Sequence, residues 1–364
     1  MLIGDIKIMD REVFFVIKSL GGKGWGGAHR VLAILANYLA QRSYSVTIIV
    51  WQDSPIDYPL DKRVRIEWLH CVINGEKDVL PAFVKTRKIL KGHKGAYLYA
   101  FMSKMAVYAL VYTMGEGIHV IGAERTDPQT EPHNAIFRTI RNHAFGFMYK
   151  TVYQTPDAMN YFPVKARKNG CVIPNPITPG LPQRYVGKRS KEFVTFCRID
   201  KQKNLPVMID AFCIVHSLYP DFCLKIYGTG LIEEEIAEYI KEKDAQKYIF
   251  MLGFNKNVHQ KIMNAYAFVS SSDYEGLSNS MLEAMAIGLP CICTDCPIGG
   301  AKMVIQNGVN GILVPIRDVE TMSRAMITLI ENPKLGEKLS INASKIRDDL
   351  NQDVICEKWR NLMD

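Results

Sequence analysis

Residues 193–230 read FVTFCRIDKQKNLPVMIDAFCIVHSLYPDFCLKIYGTG. Phe193–Cys197 and Cys223–Tyr227 are short runs rich in β-branched and aromatic residues. Between them, Leu205–Leu218 carries apolar residues at helical spacing. Strand, long helix and second strand in so short a stretch form the crossover unit of a parallel sheet. The pattern continues downstream. Strand candidates Ile249–Leu252, Ala267–Ser270, Pro290–Thr294 and Gly311–Val314 alternate with helical patterns at Ile232–Lys243, Val258–Ala265 and Asn279–Ile287. Val319–Glu331 follows the last strand as a helix.

The first half repeats the theme less cleanly. Val13–Ile17 and Val46–Trp51 flank a helix at Gly27–Gln41, and further strands are predicted at Arg65–Leu69, Tyr97–Ala100, His119–Gly122, Val152–Gln154 and Cys171–Ile173. The expected fold is α/β, with two Rossmann-like doubly wound domains facing a cleft. The length of 364 residues agrees with two domains of about 150–200 residues each. The predicted boundaries are 1–180 for the first domain and 190–345 for the second. Pro174–Arg189, with four prolines, is the linker candidate. The last helical pattern, Asp353–Met363, follows a polar segment, and its pattern leaves open which domain it packs on.

Composition excludes other classes. At 48% hydrophobic and 23% charged, the chain is no disordered, collagen-like or coiled-coil sequence. The longest apolar runs, such as Val31–Ala40 and Ala106–Met114, fall short of the ~20 residues that a membrane span needs. No N-terminal segment has the order of a signal peptide, so a soluble, cytoplasmic chain is expected. Nine cysteines, mostly inside apolar runs, read as buried thiols of a reducing compartment. Cys291, Cys293 and Cys296 lack a matching second pair for a metal, and no metal is expected. The net charge is +8, and the whole excess lies in residues 1–180. That half asks for an acidic partner: anionic lipid, nucleic acid or a phosphorylated substrate.

Ligands of such sheets bind at the carboxyl ends of the strands, so the strand-to-helix loops hold the candidates. The first loop holds Gly22-x-Gly24-x-x-Gly27, formally a dinucleotide fingerprint, with Asp53 after the next strand as a ribose acid. A nicotinamide enzyme is thus one reading, and a mobile loop that closes on a ligand is another. In the second half, Arg198 and Lys203 follow a strand and can neutralise a diphosphate. Gly228 and Gly230 follow the next strand and permit close backbone approach. Glu275 and Gly276 lie in a loop before a helix that Ser278 or Asn279 can cap and that carries Glu283. The N–H groups of Leu277, Ser278 and Asn279 then form an anion site. The two carboxylates can each accept hydrogen bonds from sugar hydroxyls.

The run from Asp273 through Glu275, Glu283 and Pro290 to Gly300 resembles the signature of family 4 retaining glycosyltransferases, as does Asn307–Pro315. Gly26-Gly27-Ala-His-Arg-Val31, Glu124–Pro128, Gln154-Thr155, Ile173–Pro176 and Arg198…Lys203-Asn204 fall in family order. The resemblance implies a GT-B architecture, an acceptor on the first domain, a nucleotide-sugar on the second, and metal-independent transfer with retention. It implies that residues 346–364 cross back onto the first domain. By matching position it assigns the donor diphosphate to Arg198 and Lys203, and the ribose to Glu283. Glu275 meets the donor sugar, Gly276 and the Leu277–Asn279 amides reach phosphate or sugar, and Gly253-Phe254 lies by the nucleobase. Gly228, Gly26 and Gly27 join the donor site. No Asp-x-Asp motif stands where a metal-dependent enzyme would place one. His29 departs from the Glu common in the glycine loop. Arg125 and Asp127 are the catalytic candidates of the Glu124–Pro128 segment beside Glu275, and His119, His133 and His143 are open to test.

The resemblance favours a hexose or N-acetylhexosamine moved from a UDP-sugar, with no cofactor, to a lipid-linked saccharide in capsule, O-antigen or lipopolysaccharide assembly. Alternatives are a soluble acceptor, a nucleotide-sugar epimerase, and a non-catalytic nucleotide-binding partner of a synthase complex. The basic stretches Lys85–Lys94 and Phe137–Lys150 suggest peripheral contact with an anionic inner membrane from the cytoplasmic side. Nucleic acid is not expected, since no recognition motif is present.

Overall fold

A computed structural model describes residues 11–22, 27–73 and 78–364. The chain divides into two units: residues 1–173 with 355–364, and residues 174–354. In the first unit the apolar runs become β1 (Glu12–Ile17), β2 (Ser45–Val50), β3 (Arg65–Trp68), β4 (Tyr97–Phe101), β5 (His119–Ala123), β6 (Lys150–Tyr153) and β7 (Gly170–Val172). They form one parallel sheet of order β3-β2-β1-β4-β5-β6-β7. The connecting helices are α1 (Gly27–Gln41), α2 (Val79–Leu90), α3 (Ser103–Tyr112), α4 (Ala135–Ala144), α5 (Pro156–Tyr161) and α6 (Val164–Lys168).

The second unit repeats the plan. Its strands are β8 (Glu192–Phe196), β9 (Cys223–Tyr227), β10 (Ile249–Met251), β11 (Ala267–Ser270), β12 (Cys291–Thr294) and β13 (Ile312–Val314). They pair in parallel in the order β10-β9-β8-β11-β12-β13. The helices are α7 (Leu205–Leu218), α8 (Glu233–Glu242), α9 (Val258–Ile262), α10 (Asn279–Ala286), α11 (Gly300–Val304), α12 (Val319–Glu331), α13 (Pro333–Ser344) and α14 (Ile346–Asp349). A last helix, α15 (Gln352–Arg360), carries the chain back into the first unit at Ile355.

Local chemistry starts these helices where they start. Asp318 caps α12 through the Thr321 N–H at 2.8 Å, and Thr155 caps α5 through Ala158 at 3.0 Å. Pro206 sits in the first turn of α7, where its missing N–H costs nothing. Alternate residues of the second sheet face opposite ways. Phe193, Leu224, Ile226, Val269 and Ile292 join one core with α7, α8 and α12. The residues between them, such as Val194, Phe268, Cys291 and Cys293, are also buried. Both faces are therefore covered, which is why these strands read as unbroken apolar runs. Burial also raises the Cys291, Cys293 and Cys296 thiols above the ordinary range, so they stay neutral.

Two sequence expectations change. Pro174–Arg189 is bound along the second unit: Arg189 donates to the Ala265 and Gly288 carbonyls at 3.0 and 2.8 Å, and Arg184 pairs with Glu337. The basic stretch Phe137–Lys150 is split by burial. Ile136, Ile140 and Phe147 are exposed, but Arg141 and Phe145 are wholly buried. Arg141 pairs with Glu124 at 3.1 Å and donates to the Pro128 and Glu131 carbonyls at 2.7 Å each. Its guanidinium also lies 4.8 Å from the Phe162 ring. The side chain turns inward because α4 follows the loop whose carbonyls it satisfies. Lys85 and Arg87 donate to the carbonyls of Leu69, Tyr112 and Met114, yet both stay exposed, as do Lys88, Lys91 and Lys94.

Removing one partner of a buried ion pair strands the other charge. Arg141→Met is therefore expected to lower stability by about 3–5 kcal/mol. Urea unfolding measures it, and Arg141→Met combined with Glu124→Leu is expected to cost less than Arg141→Met alone.

Candidate active site

The strand order puts β8 beside β11, the point where the winding order of the second sheet reverses. Ligands of open parallel sheets bind there. Cys197–Asn204 leaves β8 and Ser271–Ser278 leaves β11, so the two loops meet. The Lys203 ammonium donates to Glu275 Oε2, and both side chains are mostly buried, at 13% and 19% exposure. Burial pulls the Lys203 pKa down, but the adjacent Glu275 carboxylate more than offsets this and the net shift is upward. Lys203 is thus charged throughout the neutral range.

Other contacts lace the same loops. Asn204, at φ 43°, donates to Asp273 Oδ1 at 2.8 Å. The Asp273 N–H donates to the Gln202 carbonyl at 2.9 Å, and Ser271 Oγ to the Lys203 carbonyl at 2.8 Å. Arg317, just past β13, reaches Asp273 at 2.7 Å. Glu275 itself is held by its backbone: its N–H donates to the Pro297 carbonyl at 2.7 Å, and its carbonyl accepts from Ile298 at 3.2 Å.

The start of α10 departs from expectation. Ser278 occupies the N-cap position, but its hydroxyl makes no capping bond and lies 3.4 Å from Ser280 Oγ. Asn279 Oδ1 instead accepts from the Asn175 amide at 2.9 Å. The same amide donates to the Leu277 carbonyl at 3.2 Å. Neither residue caps the helix, so its first N–H groups and the positive end of its dipole are not closed by these side chains. Gly300 packs on this turn so closely that a Cβ would strike the Gly276 carbonyl.

The remaining donor candidates lie elsewhere in the second unit. Glu283 lies on α10 and is 8% exposed. Its Oε1 accepts from the Thr178 hydroxyl at 2.7 Å, and its Oε2 is 2.8 Å from His259 Nε2. Arg198 is half exposed and pairs with Asp200 at 2.5 Å. Gly228, at φ 132°, has no room for a side chain against the Cys197 carbonyl, nor has Gly230 against that of Ile199. Gly253 and the exposed Phe254 form the turn after β10. Lys203, Glu275 and Gly276–Asn279 are thus assembled at the switch point, and Glu283 lies about one helical turn further along α10.

The other candidates lie in the first unit. Gly27 opens α1, whereas Gly26 lies outside the described residues. Arg125 is buried beside Phe101 and Trp359. Burial and the nearby Arg30 disfavour its charge while Glu124 supports it, and its pKa falls to about 9. Asp127 is buried and accepts the Gln129 N–H at 2.8 Å. Glu124 holds this loop: it accepts from Ser103 Oγ at 2.5 Å, Thr126 Oγ1 at 2.9 Å and the Arg125 N–H at 3.0 Å. Asp53 pairs with His70 on the surface at 2.8 Å. His143 lies 2.8 Å from the Thr139 carbonyl, His133 is exposed near Glu131, and His119 packs on Tyr97 and Tyr149.

Residues 183–346 match the family described as Glycosyl transferases group 1. An uncharacterized glycosyltransferase of Haemophilus influenzae is 24% identical over 97% of this chain and 100% of its own length. A Campylobacter jejuni N-acetylgalactosamine-N,N'-diacetylbacillosaminyl-diphospho-undecaprenol 4-alpha-N-acetylgalactosaminyltransferase is 25% identical over 91% of this chain and 93% of its own. Among solved structures, Anabaena Alr3699/HepE in complex with UDP-glucose has a TM-score of 0.81 at 18% identity, over 96% of this chain and 98% of that one. The fold is therefore of the GT-B class, with two Rossmann-like domains. The second unit carries a glycosyl transferases group 1 domain.

Sequence reasoning missed His259 and Thr178, which contact Glu283. His259 stands in a five-residue helix with no motif. Thr178 lies in the stretch taken for a linker. A polar residue among the prolines before β8 was the available signal.

Neighbouring charges couple energetically. Lys203→Met combined with Glu275→Gln is expected to be more stable than Lys203→Met alone, with a coupling of about 0.5–3 kcal/mol. A thermal or urea double-mutant cycle measures this, and additive effects would contradict the pairing.

Proposed function

We propose that this chain moves a hexose or N-acetylhexosamine from a UDP-sugar to a lipid-linked saccharide, with retention, in the building of a bacterial surface glycan. The carrying observation is the charged Lys203 beside the open start of α10, at the switch point of the second sheet. When the sugar–diphosphate bond breaks, negative charge gathers on the leaving phosphate. An ammonium, the Arg198 guanidinium and helix-end N–H groups are fixed donors for that charge. With such a set the transfer runs without a divalent metal.

The electron pair of the broken C1–O bond leaves with the diphosphate. An acceptor hydroxyl oxygen forms the new bond to C1 on the same face, and its proton passes to the departing phosphate oxygen. Glu275, anchored by Lys203 and by its own backbone, meets the donor sugar. Arg125 and Asp127 are the catalytic candidates of the first unit. The Campylobacter relative's name states a diphospho-undecaprenol acceptor, which supports the lipid-linked reading. So do the charge excess of the first half and the exposed Ile136, Ile140 and Phe147. No helix among the described residues is long and apolar enough to cross a membrane. Contact with anionic lipid at the cytoplasmic face is accordingly peripheral in this proposal.

Glu275→Ala is expected to cut turnover by at least about a hundredfold, the scale of a transition-state contact. UDP affinity, followed by calorimetry with a chelator present, is expected to change little. Full turnover in this variant would remove Glu275 from the site. Arg198→Ala is expected to weaken UDP about tenfold, the loss of one charge-assisted hydrogen bond. Unchanged affinity would refute the diphosphate assignment. Vesicles with anionic lipid are expected to bind the chain in a salt-sensitive way and neutral vesicles are not.

A further inference from the structure

We propose that His259 is a positioning residue for nucleotide recognition: it fixes the Glu283 carboxylate so that this carboxylate reads the ribose hydroxyls of the donor. The inference rests on the assignment of Glu283 to the ribose in the proposed function. Its basis is a three-part contact. Glu283 Oε2 lies 2.8 Å from His259 Nε2, and Oε1 accepts from Thr178 at 2.7 Å. An ionised carboxylate only accepts, so the Nε2 of His259 carries a proton towards it. Two donors, one on each oxygen, set the plane of a group with about four acceptor sites. A vicinal diol needs that plane fixed, because its two hydroxyls present themselves at one spacing and one angle.

His259 is well placed to do this. It lies on α9, six residues after Gly253 at the end of the turn assigned to the nucleobase. Its ring is held edge-on against Phe196, at 5.4 Å and 86°. Phe196 closes β8, the strand that leads into Arg198 and Lys203. One imidazole thus touches the strand before the diphosphate loop and the helix that bears the ribose carboxylate, and it belongs to the element after the nucleobase turn. A ligand that spans base, ribose and diphosphate is what such a junction serves.

The test compares UDP with 2′,3′-dideoxy-UDP by calorimetry on the full chain. Wild type is expected to prefer UDP. His259→Leu is expected to lose about tenfold in UDP affinity, equal to about 1.4 kcal/mol, and to bind 2′,3′-dideoxy-UDP as wild type does. His259→Gln, whose amide nitrogen replaces Nε2, is expected to regain most of the preference. His259→Leu in a Glu283→Ala background is expected to add nothing. Equal weakening of both nucleotides would make His259 a packing residue and overturn the proposal. So would an unchanged UDP affinity in His259→Leu, or a failure of His259→Gln to regain the preference. A wild-type chain that binds no UDP would instead sink the donor assignment itself, and that result is visible before any variant is made.

Discussion

The bond between Lys203 and Glu275 is where the second unit's sheet and its chemistry join. Two loops leave neighbouring parallel strands and carry opposite charges to the same point. Each charge alone is poorly solvated there, and each is the other's remedy. The surrounding bonds, from Asn204 to Asp273 and from Asp273 to Gln202, are short and local, and they hold only while the loops stay in register. The same pairing keeps the ammonium beside the turn that begins α10. A fixed cation near uncapped helix amides is preorganised for a phosphate, because little has to reorient when charge appears.

The first unit handles its buried charge differently. Arg141 and Glu124 are surrounded by carbonyls, hydroxyls and backbone N–H groups, and neither reaches solvent. Burial raises the Glu124 pKa and lowers that of Arg141, and each partner works against the other's shift. What this arrangement delivers is shape. The loop from Arg125 to Glu131 has its backbone groups claimed from both sides, which holds Arg125 and Asp127 in place.

The strands and helices were legible because both faces of each sheet are buried. Unbroken apolar runs separated by amphipathic stretches leave little room for another reading, and Leu205–Leu218 and Cys223–Tyr227 fall where the pattern puts them. Lys203 and Glu275 were each recognisable from position after a strand. Their mutual contact was not, since it depends on strand order, which no local pattern encodes. The burial of Arg141 within the basic stretch Phe137–Lys150 is not legible for a related reason: its partners are Glu124 and backbone carbonyls of a preceding loop, and no local pattern marks those. Ser278 and Asn279 read as caps on residue type alone, whereas Asn175 engages the Asn279 side chain and the Ser278 hydroxyl turns to Ser280.

The approach to β8 has a practical side. Asn175 and Thr178 lie upstream of the sheet, within a proline-rich passage that looks dispensable, yet they hold Asn279 and Glu283. Arg184 and Arg189 fasten that passage along the way. An excised second domain cut at the first residue of its first strand would retain every strand and helix of the Rossmann unit. It would have lost the two side chains that brace α10 from behind. The functional boundary of this domain therefore lies at Pro174, well before the point where its secondary structure begins.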